Sequence, residues 1–235
     1  WRPNKVQRDA AVVFLLDTTC SMSSTATAMA SEFLTITDEL DETGLDIAYG
    51  LATYDDYAYG AYGYASSGDK PFILRQQVTT DDLLVDDATD AVEIHFGGDA
   101  AESTMEALYQ AMTGAGYDQN CDESYDSDTD VLPFLADTSD PFLGTAGESY
   151  EADTPDGGIL GGMGFREGSL PVIIYATDNY LRDPDAGYGV PGGCPIDASG
   201  TDVVSAAEET GAVLIGINVS AWSISAVTDQ MEALA

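Results

Sequence analysis

Apolar runs too short to be helices alternate along this chain with stretches whose apolar positions recur at helical spacing. Val12-Val13-Phe14-Leu15-Leu16 is continuous rather than alternating, the mark of a strand covered on both faces, and predicts a strand over 11–16. A helix follows from about Thr25 to Asp41, with Met29, Phe33, Ile36 and Leu40 on one side, and Gly44 ends that unit. A strand over 46–54 (Ile47 to Tyr54) leads into a segment rich in Tyr, Gly and Ala, then a strand from Phe72 to Val78. Thr79-Thr80-Asp81-Asp82 supplies oxygens that can cap a helix running to Val92. Next come a helix over 102–113 with Met105, Leu108 and Met112 on one face, a strand over 171–176, a helix over 201–210, a strand over 212–219 and a helix from about Ile224. Strands separated by helices predict an α/β fold, a doubly wound parallel sheet with helices on both faces.

The pattern breaks between Gly114 and about Ser169. Residues 117–156 hold twelve acids (Asp118, Asp122, Glu123, Asp126, Asp128, Asp130, Asp137, Asp140, Glu148, Glu151, Asp153, Asp156) and no base. The economical description is one domain over 9–235 with an acidic insertion over 114–169, a solvated cap partly ordered by Val131, Phe134, Leu135 and Phe142. Asp126, Asp128 and Asp130 alternate like the opening of a calcium loop, but the required Gly and closing Glu are missing. The tyrosines Tyr57, Tyr59, Tyr62 and Tyr64 read either as a contact surface or as loop packing beside the sheet.

Composition narrows the function. With 44% hydrophobic residues among 235 the chain can bury a core, while 42 acids against 7 bases and one His give a net charge of −35. Such a surface repels phosphate backbones, which argues against nucleic acid, and suits a high-salt habitat or bound divalent cations. No apolar stretch is long enough to span a bilayer, so this segment is not expected to be transmembrane. Three cysteines are too few for a disulfide scaffold. Cys121, in the insertion, and Cys194, in the Gly/Pro-rich loop after Asp178, are candidates for one bridge in an oxidising compartment, and Cys20 reads as a buried small residue.

The candidate chemistry lies where strands end. After the first apolar run, Asp17, Thr19 and Ser21 alternate in Asp17-Thr18-Thr19-Cys20-Ser21, so one loop can aim a carboxylate and two hydroxyls at a point. Those oxygens suit a hard cation such as Mg²⁺ or Ca²⁺ and offer nothing to a soft metal, although the same residue types also fill ordinary turns and caps. Two further strand ends bring acids, Gly97-Gly98-Asp99-Ala100-Ala101-Glu102 and Thr177-Asp178. In open α/β sheets ligands bind beyond the carboxyl ends of the strands.

The Asp-x-Thr-x-Ser pattern with these partners resembles the metal-ion-dependent adhesion site (MIDAS) of von Willebrand factor A (VWA) domains, closest to the integrin beta-subunit I-like type, as found in bacterial and archaeal surface proteins. The resemblance runs from about Val12 to about Ala235, interrupted by the insertion, and implies a Rossmann-like fold. It implies a cation, Mg²⁺ or else Ca²⁺ or Mn²⁺, held by Asp17, Thr19, Ser21, Glu102 and Asp178. It also implies an adjacent Ca²⁺ site from Asp55, Asp99 and a bridging Glu102, with Gly97 where the family has Asn. Ser24 and Thr25 replace the acids of a third integrin site, which is therefore expected to be absent or weak. The resembled fold normally carries one more strand and helix, so the chain is expected to be incomplete at its C-terminal end, and a chain beginning at Trp1 is expected to have lost a preceding segment.

The expected function is non-enzymatic: extracellular or cell-surface recognition of a protein ligand, or a neighbouring subunit, that offers an acidic residue to the cation. A cation-stapled subunit of a filament or surface layer is the alternative. A two-metal hydrolase is a further one, for which only His95 and Arg182 are at hand as a base or phosphate clamp.

Overall fold

A computed structural model describes residues 9–134, 157–220 and 225–235. Leu135, Phe142 and the insertion's acids from Asp137 to Asp156 lie outside the described residues, as does the expected helix start at Ile224. The strands are β1 (Asp9–Asp17), β2 (Asp46–Tyr54), β3 (Ile73–Thr79), β4 (Ala101–Glu102), β5 (Leu170–Thr177), β6 (Tyr180–Leu181) and β7 (Val213–Asn218). The helices are α1 (Ser23–Asp41), α2 (Asp82–Asp90), α3 (Thr104–Thr113), α4 (Gly200–Thr210) and α5 (Ser225–Glu232).

Five strands form the central sheet in the order β3-β2-β1-β5-β7, and β4 pairs with β6 in a separate two-stranded ladder. β1 is the middle strand and is buried from Ala11 to Asp17, as its unbroken apolar run requires. Its side chains divide by the strand's two-residue period. Ala11, Val13 and Leu15 join the core built with Met105, Leu108 and Met112 of α3, Val203 of α4 and Val227 of α5. Val12 and Phe14 point the other way, into a core with Phe33 of α1 and Val85 of α2. Helices thus cover both faces.

The sheet is mostly parallel, with one departure from the expected pattern. β3 runs antiparallel to β2, with shifts of register near Leu51. A parallel return needs a crossover of a dozen or more residues, usually helical. The connection between Asp55 and Phe72 contains only a short 3₁₀ turn at Ala65–Ser67, so the chain doubles back. Within that connection the tyrosines separate: Tyr57 is buried, Tyr62 is half-buried, and Tyr59 and Tyr64 are exposed.

The described part of the insertion folds back onto the domain. Tyr117 bridges Val131, and Asp118 bridges Cys194. Cys121 and Cys194 form a disulfide with Cα atoms 5.3 Å apart. At the far end of the insertion, a tight turn approaches the last turn of α3, where Gly162 N donates to Ala111 O at 3.1 Å. A Cβ on Gly161 or Gly162 would sit 2.4 Å or 2.3 Å from a carbonyl oxygen of α3, so only glycine permits the approach. Asp130 is buried, and its oxygens accept from Gln119 N, Asp126 N and Thr129 Oγ1. The alternating aspartates therefore close a hydrogen-bonded turn.

Candidate metal centre

Chain order and sheet order diverge at β1. The chain steps from β1 to β2 and β3 on one side, and later places β5 and β7 on the other. The crevice at the carboxyl ends of β1 and β5 is thus a topological switch point, the usual ligand position in such sheets. Asp17 ends β1 and Thr177 ends β5, and Thr177 Oγ1 donates to Asp17 Oδ2 at 2.7 Å. Asp17 Oδ1 accepts from Thr19 N at 2.9 Å and Thr19 Oγ1 at 2.7 Å. Across the crevice, Ser21 Oγ donates to Asp178 Oδ1 at 3.0 Å.

Glu102 reaches the same place by a different route. The β4–β6 ladder pairs Glu102 with Leu181, and Arg182 N donates to Glu102 O at 2.8 Å, which fastens the Glu102 loop to the segment that follows Asp178. Ser103 Oγ donates to Asp55 O at 2.7 Å, which anchors it to the end of β2 as well. Gly97 has a φ of +72°, and a Cβ there would lie 2.9 Å from Thr19 Cγ2 and 3.8 Å from Glu102 Oε2. Glycine at this position therefore serves both the turn and the close approach.

The site's electrostatics single out Glu102. The residue is 3% exposed, and Oε2 has no hydrogen-bond partner. Burial first, then repulsion from Asp17, Asp56, Asp178 and Asp55, pushes its carboxyl up to about 11. Burial likewise raises Asp17 to about 7 against the opposing hydrogen bonds from Thr19 and Thr177. A buried carboxylate oxygen without a donor, surrounded by other acids, costs several kcal/mol unless a cation or proton meets it. The donors of Asp17, Thr19, Ser21, Glu102 and Asp178 are all hard oxygens, the kind that suit Mg²⁺ or Ca²⁺, although among the described residues the carboxylates of Asp17, Glu102 and Asp178 do not all bring ligand atoms within 4.8 Å of one another.

The residues expected at a second cation site are divided. Asp55 accepts from Thr18 Oγ1 at 2.7 Å, and its other oxygen lies 2.7 Å from His95 Nδ1. Asp99 instead accepts from Ala101 N at 3.1 Å and from Arg182 Nη2. Neither carboxylate shares a hydrogen-bond partner with the other. Asp55, Asp69 and His95 do bring ligand atoms within 4.8 Å of one another and could hold a metal. Asp69, however, already accepts from Tyr64 N, Phe96 N and Gly97 N, and so ties the Gly97 loop to the segment after β2.

Several contributors escape a sequence reading. Thr18, Thr177, Asp56 and Asp69 carry no motif of their own, although Asp56 and Thr177 each adjoin a residue the motifs select. Glu106, buried in α3, accepts from Tyr57 Oη at 3.1 Å, Gln110 Nε2 at 2.7 Å and Ala198 N at 2.8 Å, and burial pushes it up to about 7. Cys20 is exposed, contrary to expectation. The 3₁₀ turn Cys20–Met22 turns Met22 inward and leaves Cys20 facing out.

No protein-family model matches the chain, and no curated protein matches it. Among solved structures, the pilus adhesin SpaC from Lactobacillus rhamnosus GG, in an open conformation, aligns at 12% identity and a TM-score of 0.39. The match covers 76% of this chain and 16% of the adhesin, so the chain corresponds to a small part of that protein's length.

Proposed function

We propose that this chain is a VWA-like domain that binds a carboxylate-bearing protein partner through one divalent cation held by Asp17, Thr19, Ser21, Glu102 and Asp178. The observation that carries the reading is the buried Glu102 Oε2, which lacks a donor at the switch point of the sheet. A bound ion would supply positive charge between protein acids and an acidic group of the partner, which would otherwise repel. Ser21 is exposed and Asp178 only half-buried, so the site opens to solvent on their side.

Recognition suits this geometry better than hydrolysis. His95 and Arg182, the residues a hydrolytic reaction would need, are each bound to buried carboxylates. The Cys121–Cys194 bridge fits an extracellular or cell-surface setting, because disulfides persist in oxidising compartments. Among the described residues no helix is long and apolar enough to cross a membrane.

The test uses Mn²⁺ as the probe ion. The chelated chain should take up one Mn²⁺ that retains exchangeable water, read by solvent proton relaxation, and acetate or glutarate should displace that water. Asp17→Asn should lose the ion. An ion with no exchangeable water, or the same uptake by Asp17→Asn, would refute the reading.

A further inference from the structure

Arg182 is the one arginine of this acidic chain that is deeply buried among the described residues, at 3% exposure, and it lies beside the candidate centre. Its Nη2 donates to Ala101 O at 2.5 Å and to Asp99 Oδ1, and lies 3.5 Å from Asp56 Oδ1. Nη1 donates to Gly189 O at 2.8 Å, and the guanidinium carbon sits 4.6 Å from the centre of the Tyr62 ring. Two carboxylates and a main-chain carbonyl immediately before Glu102 are the ligand types of a calcium site. Here they converge on a guanidinium, which is always charged and cannot dissociate.

We infer that Arg182 takes the place of a second cation, fixing the Glu102 loop with a covalently held charge so that the centre holds a single divalent ion. The inference rests on the proposed metal site and adds its stoichiometry. Arg182 is a positioning residue. Its main-chain N–H holds Glu102 O while its side chain holds Ala101 O, so both carbonyls of β4 hang on one residue. Tyr62 covers the guanidinium, and Gly98 permits that cover, since a Cβ there would lie 2.2 Å from Tyr62 O. Asp56 completes the clamp by accepting from Gly98 N at 3.2 Å.

The experiment counts Ca²⁺ by calorimetric titration of the chelated full chain in high salt, which screens the surface acids. Ion numbers are taken as differences from Asp17→Asn. The wild type should hold one ion at the centre, and Asp99→Asn should not remove it. Arg182→Ala should bind one additional Ca²⁺, lost again in Arg182→Ala/Asp99→Asn. Arg182→Lys should keep a single ion with roughly tenfold weaker affinity, the usual cost of altering an outer contact at a metal site. A wild-type ion lost on Asp99→Asn, or a single Ca²⁺ in folded Arg182→Ala, would overturn the inference and leave the metal site standing. No ion in the wild type would overturn the metal reading itself, and this inference with it. The wild-type and Asp99→Asn counts decide the matter even if Arg182→Ala does not fold.

Discussion

Glu102→Gln separates the cost of the centre from its use. In the metal-free fold, burial and neighbouring acids push Glu102 from 4.5 up to about 11. An acid with a raised folded value contributes stability that is fully present below its unfolded pKa and is lost as pH rises toward the folded one. At pH 7 the folded chain must hold a proton that the unfolded chain has released. That is about 2.5 pH units above 4.5, at about 1.4 kcal/mol each, so the carboxyl costs up to about 3 kcal/mol. Glutamine has nearly the same shape, never ionises, and forfeits no hydrogen bond at Oε2, which has none. In chelator at pH 7, Glu102→Gln should therefore be more stable than the wild type by up to about 3 kcal/mol. Mg²⁺ at a hundred times its dissociation constant stabilises the wild type by about 2.7 kcal/mol and should leave the variant unmoved. Urea unfolding followed by circular dichroism, with and without Mg²⁺ and with the disulfide intact, reads both effects. Titrations in buffers of different ionisation enthalpy should show one to two protons released per ion by the wild type, from Glu102 and in part from Asp17. A variant less stable than the wild type in chelator, or an equal response of both to Mg²⁺, would rule out Glu102 as the buried ligand of the ion.

Three further outcomes are expected. Asp17→Asn should abolish divalent binding yet keep an oxygen for Thr19, whereas Asp17→Ala strands the Thr19 and Thr177 donors and should cost about 1–3 kcal/mol more in chemical denaturation. Glu106 is raised from 4.5 to about 7 by burial, so wild-type stability should fall as pH climbs through that window, and Glu106→Gln should remove up to about 3 kcal/mol of the fall in unfolding curves taken at pH 4.5 and 7.5. Replacing Cys121 and Cys194 together by Ser opens a loop with a sequence separation of 73, which chain entropy values at about 4 kcal/mol, visible as a lower melting temperature.

What the sequence revealed follows the range of the interactions involved. β2 occupies 46–54 as its apolar pattern predicts, and α4 starts one residue before the expected 201, because both are set by local periodicity and caps. The direction of β3 depends on what the intervening connection builds, which no pattern inside 73–79 encodes. Asp55 and Asp56 show the same limit at the scale of a side chain. Adjacent at the end of β2, they serve opposite neighbours, Asp55 toward Thr18 and His95 and Asp56 toward Gly98 and Arg182. Arg182 follows Asp178 closely enough to suggest a phosphate clamp, but the β4–β6 ladder carries it under Tyr62 instead. The ends of β1 and β5 were legible because apolar runs announce where strands stop, and oxygen-bearing residues follow at once.

The acidity of the surface and the acidity of the centre are separate problems, and salt distinguishes them. Only seven bases serve 42 acids, so buried carboxylates here are met mainly by N–H and O–H donors. Asp69 is held by three main-chain amides, Glu106 by a phenol and two N–H donors, and Asp17 by two threonines. Among the described residues Glu102 Oε2 is the one buried carboxylate oxygen without a donor, and it is shielded from solvent ions by its burial. Repulsion among exposed acids is screened within about 3 Å at 1 M salt, whereas charges inside the protein are screened far less. Molar NaCl should therefore raise the stability of the chelated chain by relieving its surface, yet leave the additional gain from Mg²⁺ largely in place. Thermal unfolding across NaCl concentrations, with and without Mg²⁺, measures the two contributions separately. If molar NaCl erased the Mg²⁺ effect, the ion would be acting as a general counterion of an acidic surface, and the buried oxygen of Glu102 would not be its target.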